Sequence, residues 1–128
     1  MRTPLTIVLV LMLSLAAMAS PAEAARVAVL LSAKVSEYED AFKGFREATP
    51  HQIAAVYDMD GDLDRGRKLL AEIEEKIKPD LIFAVGIWAL QAVVSRPPSV
   101  PVVYAMVLNP PSVLGADAKN VTGASMNV

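Results

Sequence analysis

Chemistry-bearing residues cluster first in the acidic run Asp58-Met59-Asp60-Gly61-Asp62-Leu63. Three carboxylates at alternate positions suit either a cation or the positive end of a helix. An EF-hand loop needs Gly at its sixth position and Glu at its twelfth. Counted from Asp58 these are Leu63 and Leu69, and counted from Asp60 they are Arg65 and Ala71, so neither register fits. A helix cap at Asp60 or Asp62 is the simpler expectation. The second cluster is Gly86-Ile87-Trp88-Ala89. Glycine lets backbone approach a ligand, and free N–H groups at a helix start can hold an anion. Trp88 could stack on an apolar or aromatic ligand, or the four residues could be a tight turn with Trp88 in the core. The third candidate is Asn109, ahead of Pro110-Pro111, as a ligand contact or a turn residue. His51 follows Pro50 in a connector and reads as surface. One His and no Cys exclude multi-His and thiolate metal sites, cysteine nucleophiles and disulfides. No cofactor or metal is expected.

The elements that must position these residues are legible from their periodicity. Arg26 to Leu31 is a short apolar run suited to a strand buried on both faces. Ser36 lies three residues before Glu39, a capping-box spacing, and Val35, Tyr38, Phe42 and Phe45 recur at helical spacing as a buried face. Pro50 stops that helix, and Gln52 to Tyr57 reads as a second strand. Leu69, Leu70, Ile73 and Ile77 stripe the next helix, with Asp64–Lys68 and Glu72–Lys76 as i,i+4 pairs, and Pro79 ends it. Asp80 to Val85 is the third strand, Trp88 to Ser95 a short helix, Pro101 to Val107 the fourth strand, and Val121 to Ala124 a short fifth. This alternation predicts an α/β fold: a parallel sheet with helices on both faces, in the flavodoxin-like order 2-1-3-4. Ligands in such sheets bind at the carboxyl ends of the strands. The loops Ser32 to Ser36, Asp58 to Asp62, Gly86 to Ala89 and Leu108 to Ser112 lie there.

Length and charge narrow the function. The chain of 128 residues holds one domain at most. Its 12 Lys+Arg against 14 Asp+Glu, net −2, give no surface for nucleic acid. Arg2, the apolar run Leu5 to Met18 and two A-x-A sites, Ala17-Met18-Ala19 and the favoured Ala22-Glu23-Ala24, have the layout of a cleaved export signal. The run of about 14 residues is short of the roughly 20 that span a bilayer. The expected division is therefore a signal peptide at 1–24 and an exported, periplasmic domain at 25–128. Asn120-Val121-Thr122 matches a glycosylation sequon and carries little weight in a bacterial reading. No internal repeat is present.

Two resemblances follow from these motifs. The run Ile53 to Leu63, a strand followed by D-x-D-G-x-L, resembles the first motif of haloacid-dehalogenase phosphatases. That likeness implies Asp58 as nucleophile and Asp60 as acid/base, with Mg²⁺ offsetting charge. The rest of the chain departs from it. Asp62 stands where such enzymes carry Thr or Val, and Gly86-Ile87 offers no hydroxyl after the third strand. Lys119 could be the later lysine, but no acidic pair follows it.

The wider resemblance covers residues 26–128. VAVLLSAKVSEYEDAFKGF at 27–45, KPDLIFAVG at 78–86, PVVYA ending toward Asn109-Pro110, and NVTG at 120–123 resemble ABC transporter substrate-binding proteins. The class is the periplasmic type 1-like group that includes tryptophan- and tyrosine-binding members. The resemblance implies a non-enzymatic solute-binding component of an importer, with a ligand such as an amino acid held between two lobes and passed to a membrane permease. It implies a site at Ser32, Gly86, Ile87, Trp88 and Asn109. Ile87 stands where the family often carries a hydroxyl residue. Members of the family are longer and two-lobed, so the expectation here is a truncated N-terminal lobe, as a fragment or a shortened gene product.

Overall fold

The computed structural model describes residues 24–114 and 118–126. The export signal expected at the N-terminus falls on residues 1–23, outside that range, apart from Ala24. Five strands form one parallel sheet: β1 (Arg26–Leu31), β2 (Gln52–Asp58), β3 (Leu81–Val85), β4 (Val102–Leu108) and β5 (Val121–Met126). Their order is β2-β1-β3-β4-β5, so the expected 2-1-3-4 core gains β5 outside β4. The helices are α1 (Ser36–Ala48), α2 (Leu63–Glu72), α3 (Ile87–Ser95) and the short α4 (Pro111–Leu114). Among the described residues no helix is long and apolar enough to cross a membrane.

Side chains alternate across a strand, so an apolar run supplies both faces of a sheet. Val27, Val29, Leu31, Phe83 and Val85 point to one side, where α1 lays Tyr38, Phe42 and Phe45 on them. The Phe45 and Phe83 rings stack at 4.1 Å between centroids. Ala28, Leu30, Ile82, Ala84, Val102 and Tyr104 point to the other side, against Met59, Leu70, Ile73, Ala89, Leu90 and Val93. This second side is the deeper core, because two helices cover it. On the first side α1 stands alone and none of its residues is fully buried.

Three local expectations need correction. The capping box at Ser36 does not form. Val35 is the extended N-cap, its carbonyl accepts from Tyr38 N and Glu39 N, and Ser36 is already helical. A hydroxyl one position too late cannot reach the N3 amide, and Ser36 bonds Glu37 instead. Val35 is accordingly not part of the α1 core face but 40% exposed. Asp64 pairs with Arg67 at 2.6 Å rather than with Lys68, since the Arg67 guanidinium also reaches Ser95 Oγ on α3. The Glu72–Lys76 pair is present at 3.4 Å. Both pairs are exposed and add little stability.

Asp62 caps α2 as expected, its carboxylate accepting from Arg65 N at 3.1 Å. The helix then widens into a π turn at Ile73–Ile77, closed by Lys78 N donating to Ile73 O from a left-handed backbone at φ 49°.

β5 is held by two residues of the NVTG stretch. The Asn120 side-chain amide donates to the carbonyls of Pro98 and Val100, which fixes the strand's start. Gly123 sits against Tyr104, where a Cβ would run into the Tyr104 carbonyl oxygen and ring. Backbone cannot yield as a side-chain tip can. Gly123→Ala is therefore expected to lower unfolding free energy by about 1–3 kcal/mol, the usual cost of overpacking. Urea denaturation checks this, and an unchanged midpoint would contradict the close β4–β5 contact.

Candidate functional site

The carboxyl ends of the first four strands are tied together around Ser32. Its N–H and its hydroxyl both donate to the Val85 carbonyl, at 2.9 and 2.7 Å. Its Oγ accepts from Ala89 N at 2.8 Å, and its own carbonyl accepts from Gly61 N at 2.8 Å. Leu31 O takes Met59 N, and Ala105 O takes Gly86 N. One buried serine thus links the loop after β1 to the turn after β2, the end of β3 and the start of α3. Ser32 is fully buried and its polar atoms are engaged, so it positions the edge rather than facing the space above it.

Gly86 completes the junction. It turns the chain from β3 into α3 at φ +90°, a region that L side chains rarely adopt. A Cβ there would lie 2.6 Å from Ser32 Oγ and 2.7 Å from the Tyr38 ring. The glycine is needed for both its dihedral and the close approach of β1 and α1.

Above this junction lies an open cleft of about 390 Å³. Val35, Glu37 and Tyr38 line it from the start of α1, and Ile87 from the start of α3. Met106 and Leu108 from β4 and Met126 from β5 close the far side. Met106 is brought there by a bulge: Tyr104 pairs with Gly123 and Val107 with Ser125, leaving two β4 residues opposite one. Met106 takes up the irregularity with φ 60°, a strained value for a residue with a side chain.

Of the five residues expected to form a site, Ile87 lines the cleft and Ser32 and Gly86 support it from beneath. Trp88 is 44% exposed beside Ile87, so it is not packed into the core, and it is not among the lining residues. Asn109 is exposed on the loop after β4, with φ 47°. Sequence reading missed Glu37, Met106 and Met126 and placed Tyr38 only in the core. Val35 and Leu108 did fall in the loops marked as ligand-facing. Exposed large apolar side chains gather at this end of the sheet: Val35, Trp88, Leu108 and Met126 follow or close four different strands.

The acidic turn is occupied with its own backbone. Asp58 Oδ1 accepts from Asp60 N at 2.9 Å, Arg65 Nε donates to Asp58 O at 3.0 Å, and Asp62 caps α2. Among the described residues no group of three or more His, Cys, Asp or Glu is arranged to hold a metal ion.

No protein-family profile and no curated protein matches the sequence. Solved structures do match in fold. An ABC domain in complex with L-Trp from Streptococcus pneumoniae superposes with TM-score 0.66 at 22% identity, covering 77% of this chain and 37% of that one. The ligand-free, open form of a substrate-binding protein with adhesive properties from Clostridium difficile gives 0.66 at 16% identity, covering 81% and 39%. A conserved domain protein from Vibrio cholerae gives 0.64 at 21% identity, covering 80% and 39%. The fold is that of one lobe of a substrate-binding protein. The chain spans about two-fifths of the length of these structures.

The junction makes a direct prediction. Ser32→Ala strands the buried Ala89 N–H and should cost about 1–3 kcal/mol. Gly86→Ala should cost more, because the new Cβ meets Ser32 and Tyr38 at a disfavoured φ. Chemical denaturation of the two variants checks the order. A neutral Gly86→Ala would show that the junction is looser than described.

Proposed function

We propose that this chain is the N-terminal lobe of an extracytoplasmic solute-binding protein serving an ABC importer. The observation that carries the reading is the apolar cleft at the carboxyl ends of β4 and β5, on a fold shared with substrate-binding proteins. In parallel α/β sheets ligands sit at that edge. The lobe contributes a floor and one wall. A second lobe closes over the solute and excludes water, and a permease in the membrane receives it. The solute is a small molecule such as an amino acid, in keeping with the neighbour solved with L-Trp. The reading is of binding without catalysis: the cleft lining holds one carboxylate, Glu37, and no nucleophile–base pair.

Export follows from the N-terminal pattern. Among the described residues Ala25 is the first tied into the fold, its N–H donating to His51 Nδ1 at 3.1 Å and its carbonyl accepting from Gln52 N. A signal removed after Ala24 would leave the sheet intact. Sequencing of the exported form should read from Ala25, and an intact Met1 in a membrane fraction would contradict export by a cleaved signal.

Binding is tested with amino acids that lack an indole, using emission from Trp88, the chain's single Trp. The lone lobe offers half of the contacts and no closure, so its Kd should be about 1 mM or weaker. Saturation at micromolar solute would overturn the two-lobe reading. Little or no response is expected from the lone lobe and a response once a second lobe is supplied; no response even then would overturn binding at this edge.

A further inference from the structure

Resting on the solute-binding reading, we infer that this lobe holds an apolar body bearing a cationic nitrogen, and that any carboxylate of the solute points away from it. The cleft walls are Val35, Ile87, Met106, Leu108 and Met126, with the Tyr38 ring, and the one charged side chain on the lining is Glu37. Among the described residues no Lys or Arg lines it. Taken together, the loops around this edge are net acidic. The first carries Lys34, with Glu37 just beyond it, the second carries Asp58, Asp60 and Asp62, and Gly86 to Ala89 and Leu108 to Ser112 carry no charge. With Glu37, four carboxylates stand against one loop cation, Lys34, and Arg65 at the start of α2 is turned onto the Asp58 carbonyl.

A cleft whose edge is net negative concentrates cations. An ammonium entering here gains Glu37 as a partner and has an aromatic face in Tyr38. A carboxylate would shed water beside Glu37 with no cation on the lining to meet it. The apolar walls take the rest of the solute, and two flexible methionines let them fit more than one shape.

The test uses the full chain with carbon-13 methyl-labelled methionine. Met106 and Met126 line the cleft and report binding, and Met59, fully buried in the core, is the internal control. Three probes share one ring system: tryptamine as cation, indole as neutral body and indole-3-propionate as anion. The expected order of affinity is tryptamine, indole, indole-3-propionate, with the ends at least about threefold apart, the scale of one exposed charge pair. Glu37→Gln should bring tryptamine to within about twofold of indole, and leave indole and the Met59 signal unchanged, since only the pair is removed. Indole-3-propionate binding as tightly as tryptamine would overturn the inference, as would a Glu37→Gln variant that keeps the full preference. Absence of shifts at Met106 and Met126 with all three probes would instead overturn the solute-binding reading on which it rests.

Discussion

A single buried hydroxyl governs the carboxyl edge of this sheet. Parallel strands end in loops that diverge to opposite faces, and their last polar groups lose the ladder. Ser32 resolves this by donating to Val85 O while accepting from Ala89 N, so β1, β3 and α3 share one joint. The joint demands a neighbour without a side chain, and Gly86 supplies it. Ile87 and Trp88 are thereby delivered to the edge at the start of a helix anchored from below. Replacing Ser32 by a larger residue would part β1 from α3 and remove the floor of the cleft.

The cleft itself follows from unequal cover of the two faces. Beyond Met59, α2 and α3 bury one side of the sheet completely at Leu30, Ile82, Ala84 and Val102. Among the described residues the other side has only α1, and Val103, Ala105 and Met106 there are only partly covered. The bulge in β4 then tips Met106 toward α1, and β5 extends the wall to Met126. An apolar space is left open beside strand ends that are otherwise closely hydrogen-bonded. Both features suit a half-site: rigid beneath, uncovered above.

Much of this was legible in the sequence. The apolar run at 26–31 read as a strand buried on both faces, the runs at 80–85 and 101–107 read as further strands, and alternation with helices left few orders for a parallel sheet. A helix cap at Asp60 or Asp62 and a turn at Gly86 were also legible, since their chemistry is local. What could not be read depends on contacts distant in sequence. Ser32 looks like a free donor until Val85 and Ala89, more than 50 positions away, are placed beside it. Val35 keeps the helical period yet lies outside the helix, because the cap, not the period, decides where α1 begins. The bulge at Met106 leaves no mark in composition: PVVYAMV reads as a regular strand, and its irregularity appears only against β5. Glu37 passes for one more solvated helix charge until the apolar wall around it is in view.

The most direct measurement of the central claim is where a captured solute sits. A photoreactive diazirine on a small aromatic amine, irradiated with the full chain and mapped by mass spectrometry, should label peptides holding Val35, Met106, Leu108 and Met126. Competition by the unmodified amine should remove that labelling. Labelling confined to the second cavity of about 130 Å³, around Val93, Leu114 and Val121, or to the Asp58–Asp62 turn, would place binding elsewhere and contradict the account.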